Sequence, residues 1–303
     1  MTSTTLSPAK TPVLGSEKGL SRGTLGALFI TILAWASAFP AIRAGLTGFG
    51  PIELGAARFA IAALPAVLFL LITKPAWPQR GEWWRFATGG IVHVALYTVL
   101  LNIGERTVSA GPASFIINVN PIITALLAIV ILQERFGKWA WAGTFLSFTG
   151  IGLIALGEGS AMKIDVGAIL ILGAAMCQSV TAIVQKPLYG KHKPLTVSAW
   201  NMIIGAIMLA PALPSALAAA PTVPTEALFS TIYLGIVPSL IAYGTWSIVL
   251  SKMPASRASN FMYCVPPVAT LIGFLWLGET PGALGIVGGL LALGGVALVN
   301  VKK

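Results

Sequence analysis

Charge is the scarcest commodity in this sequence. Only 9% of the 303 residues are Asp, Glu, Lys or Arg, while 56% are hydrophobic, and the mean hydropathy is +0.87. A soluble domain carries roughly 25% charged residues, so a water-facing surface is excluded and a lipid-facing one is implied. Acids are rarer still. None of the nine Asp and Glu residues lies inside an apolar run; all sit in tails, loops or run ends. A carrier that trades a cationic drug for protons would want a carboxylate within the membrane, so this reading is set aside. The two cysteines, Cys177 and Cys264, both lie in apolar runs and read as small buried hydrophobes, which leaves no disulfide framework. Two histidines, His93 and His192, without any CxxC or HExxH pattern, provide no metal site, and no cofactor is expected. A cleavable leader is also excluded as a reading: the first apolar run is too long, and Pro40 and Arg43 follow it.

What the chain does have is apolar length. A bilayer core needs about 20 apolar residues in a helix. The runs that qualify are 23–42, 54–73, 86–104, 110–132, 138–156, 166–185, 196–217, 227–249, 257–278 and 282–301. The expected fold is therefore an all-α membrane protein of ten transmembrane helices. Residues 1–21, rich in Ser, Thr, Pro and Lys, read as a disordered tail. With the N-terminus in the cytoplasm, fifteen Lys and Arg fall on the cytoplasmic side and four (Arg43, Arg58, Arg106, Lys163) on the other. The positive-inside rule then puts both termini in the cytoplasm. The net charge of +10 is explained by these loops, so no nucleic-acid partner is expected; membrane lipid is.

The second presence is a repeat. Asn118 to Glu134 reads NVNPIITALLAIVILQE, and Tyr263 to Glu279 reads YCVPPVATLIGFLWLGE. At an offset of 145, Pro121 falls on Pro266, Glu134 on Glu279, Ser114 on Ser259, Gly143 on Gly288 and Gly150 on Gly295. Two units follow, 22–157 and 164–303. An odd number of spans in each forces the second to insert upside down. Inverted repeats place a binding site near the midplane where the halves meet, and let it face each side in turn.

Polar side chains within spans mark the pathway by default. The expected cavity residues are Trp35, Ser37, His93, Tyr97, Asn118, Gln178, Ser239, Tyr243, Trp246 and Tyr263. His93 and Tyr97 share a helix face, and near the repeat offset they meet Ser239 and Tyr243. Several alternatives stay open. His93 reads as a cavity contact, a protonation switch or a neutral imidazole bonded to another helix. Asn118 and Asn120 read as cargo contacts or as interhelical glue. Trp35 and Trp246 read as cavity walls or lipid anchors; Trp83, Trp84, Trp139 and Trp141, at span ends, read as anchors. Arg58 reads as snorkelling outward or as standing at the cavity mouth. Pro121 and Pro266 read as hinges or static kinks, with Glu134 and Glu279 as structural markers. The small residues Gly143, Ser147, Gly285 and Gly289 favour packing within a monomer over dimerisation.

The stretch Leu33-Ala-Trp-Ala-Ser-Ala-Phe, the pair Arg58-Phe59, and Asn120-Pro121 followed by Glu134 and a Gly-rich span are similar to the motifs of the drug/metabolite transporter superfamily, in its EamA-type branch. The second half has Val265 where Asn120 stands. The resemblance covers about residues 22–301 and is greatest to the YddG-type exporters of aromatic and other neutral amino acids. It implies a bacterial inner-membrane protein that moves small metabolites outward by alternating access. The acid-poor, aromatic interior points to neutral or zwitterionic cargo, with facilitated diffusion as the simplest mechanism. Other cargo (a nucleobase, sugar or lipophilic compound) is the alternative. A membrane hydrolase using Ser114 and His93 is the reading from another class, with no membrane acid to orient the histidine.

Overall fold

The computed structural model describes residues 21–108, 110–157, 166–277 and 282–301. Their regular structure is all helical, with no strand among the described residues. In a bilayer every backbone N–H and C=O must find a partner within the protein, and a helix satisfies them locally. In chain order the helical stretches are α1 (Arg22–Leu46), α2 (Pro51–Thr73), α3 (Arg80–Gly104), α4 (Ala113–Ile131), α5 (Lys138–Gly157), α6 (Val166–Gly190), α7 (Pro194–Ala219), α8 (Thr225–Lys252), α9 (255–277) and α10 (Ala283–Val301). Seven of them, all but α5, α9 and α10, are long and apolar enough to cross a membrane by length and composition among the described residues. Glu279 lies outside the described residues.

Six of these stretches are interrupted; in α3, α4, α8 and α9 the interruptions recur at the repeat offset, whereas those at Ser37 in α1 and at Ala210–Ala212 in α7 have no such counterpart. In α4, one helix ends at Ile117 and the next begins at Asn120; in α9, a 3₁₀ turn (Phe261–Cys264) precedes a helix that begins at Val265. Pro121 and Pro266 thus stand in the first turn of their second segments, where a missing N–H costs least. In α3 and α8, π-helical winding covers Thr88–Leu96 and Gly235–Ile241, and α-helix resumes at Tyr97 and Ala242. Pro238 explains the second of these in part. It has no N–H to bond Leu234 O, and the Ser239 hydroxyl donates to that carbonyl instead, at 2.8 Å.

Packing follows the repeat as well. Helix α1 lies on α8 and α9, just as their counterparts α6, α3 and α4 lie together. The pairs α2–α7, α4–α9 and α5–α10 each join a helix to its own counterpart. Exchanging the halves therefore leaves these main neighbour relations unchanged.

Helices α5 and α10 are the most intimate pair. A Cβ added at Gly150 would lie 2.5 Å from both Ala292 N and Gly288 O, and one at Gly295 would lie 2.4 Å from Gly143 O. Ser147 Oγ donates to Ala292 O at 2.9 Å. Here glycine is required because two backbones touch. The small residues at 143, 147, 150, 288, 292 and 295 thus pack within one chain; Gly289 lies off this seam, with its nearest neighbour Pro267 at 3.8 Å.

Glu134 joins the halves beyond the end of α4. Its carboxylate accepts from the backbone N–H groups of Ala255 (3.0 Å) and Ser256 (3.2 Å) and from the Ser256 hydroxyl (2.5 Å). An acid at a helix N-terminus meets both unsatisfied donors and the positive end of the dipole. Lys186 answers from α6, donating to Leu250 O and Met253 O at the end of α8.

Two stability predictions follow from this packing. Gly150→Val should destabilise the protein by at least about 2 kcal/mol through backbone overlap, whereas Gly294→Ala, which meets nothing within 4 Å, should be neutral or better. Thermal unfolding of the detergent-solubilised variants checks this; equal melting points would refute the seam. Glu134→Ala should cost about 2 kcal/mol in the same assay, since three donors lose their acceptor.

Candidate functional site: a cavity between the halves

A cavity of about 600 Å³ opens where the halves meet. Its walls come from α1, α2, α3 and α4 of the first half and α6, α8 and α9 of the second. Trp35, His93, Tyr97, Asn118, Gln178 and Tyr243 all line it, as do Arg58, Asn120, Met262 and Val265. No Asp or Glu is among the lining residues.

The aromatic groups form one connected wall. The His93 imidazole stacks on the Tyr243 ring at 4.8 Å and meets Tyr97 edge-on at 5.4 Å. Tyr243 in turn meets Trp35 edge-on at 5.9 Å, and Trp35 packs at 5.5 Å against Trp246. Edge-to-face pairs at these distances are favourable beyond their burial. Two hydrogen bonds orient the wall: Trp35 Nε1 donates to Pro238 O at 3.2 Å, and the Tyr243 hydroxyl donates to His93 O at 3.4 Å. Both acceptors belong to the π-wound segments, which ties the local winding to the position of the rings.

A smaller cavity of about 270 Å³ lies beyond this wall, lined by Gln185, Tyr189, Asn201, Trp246 and Leu250 among others. His93 and Tyr243 line both cavities. The stacked pair is the partition between them.

Four of the expected cavity residues do not line the main cavity, each for a local reason. The Ser37 hydroxyl donates to Ala34 O, and it bonds the Tyr233 hydroxyl at 2.6 Å, joining α1 to α8. Ser239 is fully buried behind the wall, between Leu234 O and Arg58. Trp246 backs Trp35 and faces the smaller cavity. Tyr263 is buried against Ile151, Ala292 and Val296, next to α5 and α10. The 3₁₀ turn explains this last correction. With three residues per turn, Met262 and Val265 share the cavity face and Tyr263 is carried to another.

The polar residues divide into liners and ties. Asn120 does both: it lines the cavity, and its Nδ2 donates to Ser179 Oγ at 3.0 Å and Ala175 O at 3.3 Å, binding α4 to α6. Gln185 and Asn201 exchange two side-chain bonds of 2.8 and 2.9 Å, and Gln185 also reaches Arg85 O. Asn118 donates to Ser114 O within its own helix. Trp246 is buried and Trp35 half-buried, so neither is a lipid anchor, whereas Trp84 and Trp139 are exposed.

Two charged residues deserve placing that position alone left open or missed. Arg58 does not snorkel; it is 3% exposed and its Nε donates to Ser239 Oγ at 2.5 Å. Glu105, just past the end of α3, is 4% exposed, and neither carboxylate oxygen has a hydrogen-bond partner among the described residues. Burial raises its pKa to about 8, against the pull of Arg43 and Arg58. The bundle is therefore less free of acid than the run-end position of Glu105 suggested.

This carboxyl generates a pH prediction. The folded chain keeps the Glu105 proton up to about pH 8, whereas the unfolded chain releases it near the ordinary value of 4.5. The folded state binds more protons across that window, so stability falls as pH rises through it. Glu105→Gln should flatten this slope and melt above the wild type at pH 8.5. Parallel slopes for the two proteins between pH 5 and 8.5 would contradict the assignment.

Comparison with known proteins gives a consistent result. Residues 22–156 and 165–301 each match the EamA-like transporter family. A protein of Streptantibioticus cattleyicolor named "Probable terminal-alkyne amino-acid exporter" is 37% identical over 275 residues, covering 90% of this chain and 92% of its own. The Bacillus subtilis "Uncharacterized transporter YdfC" is 35% identical, covering 88% of each chain. A solved crystal structure at 19% identity superposes with a TM-score of 0.75 over 93% of this chain and 99% of its own, a likeness of fold alone.

Proposed function

Because the chain belongs to the EamA-like transporter family, we propose that it exports neutral amino acids, aromatic ones above all, across the bacterial inner membrane. The observation that carries this reading is the cavity: both halves build it, aromatic rings and amides wall it, and no acid lines it. The amino-acid exporter named among its relatives supports the same cargo.

In this reading ten helices cross the bilayer, as two inverted sets of five with both termini in the cytoplasm. The main neighbour relations that survive exchange of the halves support it. Trp35, Tyr97, Asn118 and Gln178 contact the cargo, and the stacked His93–Tyr243 pair separates the outward cavity from the inward one. Alternating access then exchanges which side of the pair is open. Pro121 and Pro266 serve as hinges, since the breaks they border leave backbone groups free to re-pair. With binding energy shared by apolar walls and a few polar groups, the cargo's own gradient is a sufficient driving force.

Proteoliposomes holding the purified protein and loaded with labelled tryptophan, threonine or lysine test the proposal. Efflux of tryptophan and threonine above empty vesicles is expected; no flux of any of the three rejects amino acids as cargo. Pro121→Ala, which restores an N–H at the break, should slow tryptophan efflux by about tenfold while changing its affinity little. Unchanged turnover would make the proline a static kink.

A further inference from the structure

The charge balance of the cavity assigns a role to Arg58. Its guanidinium is part of the cavity wall, buried to 3% exposure. One edge is fixed: Nε donates to Ser239 Oγ, and that hydroxyl donates on to Leu234 O in the π-wound part of α8. Its Cζ stands 5.1 Å from the centroid of the Phe59 ring. Among the described residues the ion pairs both involve Glu82, with Lys191 and His192, and none involves Arg58. Glu105 makes no ion pair with Arg58, and its carboxyl feels Arg43 more than Arg58. Arg58 is thus a fixed, desolvated cation on the wall of an acid-free chamber. Such a group is costly unless an anion joins it.

We infer that Arg58 is the anion-binding residue of the cavity, and that its ligand is the free carboxylate of the cargo. A guanidinium held along one edge offers its remaining N–H donors as a planar fork, the geometry that suits a carboxylate. The rest of the cavity sets the class more narrowly. With no acid in the lining, an ammonium group finds only amide oxygens, such as those of Asn118 and Gln178, and the faces of Trp35 and Tyr97. Recognition therefore rests on the carboxylate, with the amine tolerated. The ligand class is an aromatic or apolar carboxylic acid, of which neutral amino acids are one subset. This rests on the preceding reading only in taking the cavity as the cargo site.

The test compares three aromatic ligands on the purified full-length protein by titration calorimetry: L-phenylalanine, L-phenylalaninamide and phenylpyruvate. The acids should bind at least about tenfold more tightly than the amide. Arg58→Gln should erase that preference, and Arg58→Lys should keep part of it, retaining the charge without the fork. The inference is overturned if the amide matches the acids on the wild type, or if Arg58→Gln still prefers the acids. If Arg58→Gln fails to fold, the wild-type series and Arg58→Lys decide. Phenylpyruvate binding without phenylalanine would support Arg58 and reject the amino-acid reading. Phenylalanine efflux with equal binding of acid and amide would do the reverse. Binding of neither acid would overturn the inference outright.

Discussion

A peptide group in hydrocarbon has no water to fall back on, and the rest of this structure depends on that constraint. It makes every stretch a helix, and it makes each departure from regular winding a liability that the protein must cover from within. Those that recur in both halves fall in α3, α4, α8 and α9, and all four of these stretches contribute to the cavity wall. Where the covering donors can be named, they stand in this wall or directly behind it: the Trp35 indole serves Pro238 O, and the Ser239 hydroxyl, behind the wall, serves Leu234 O. The paired irregularities and the candidate site are one feature.

Much of this was legible in the sequence because duplication writes itself twice. The offset of 145 taken from Pro121 and Pro266 also relates the helix starts at Asn120 and Val265, and the ends of the π-wound segments at Leu96 and Ile241. Polar residues within apolar runs led directly to Trp35, His93, Tyr97, Asn118, Gln178 and Tyr243 at the cavity. What failed was facing. A side chain's direction follows from regular periodicity only while the winding is regular, and 3₁₀ geometry at Phe261–Cys264 turned Tyr263 away from the cavity. Burial at run ends was the other blind spot. Position one turn inside a span says nothing of whether a neighbouring helix closes over Arg58, or whether the α3 end covers Glu105; only tertiary packing decides that.

The polar inventory also shows why an intramembrane amide is an ambiguous signal. Gln185 and Asn201 satisfy each other, and Asn120 satisfies Ser179 while touching the cavity. Such pairs contribute little energy each, because the unfolded chain in lipid finds partners too. Their larger effect is to fix the register of α4, α6 and α7, so that the cavity wall has one geometry rather than several.

The seam between α5 and α10 carries a consequence for motion. Its glycines bring carbonyl oxygens against the opposite main chain, with no side-chain layer to deform. Layers of long side chains can slide by changing rotamer; two main chains in contact cannot, since packed interiors switch between discrete fits and do not flow. In the alternating-access reading proposed above, this pair would serve as a stator, a fixed post about which α1 to α4 and their counterparts would turn.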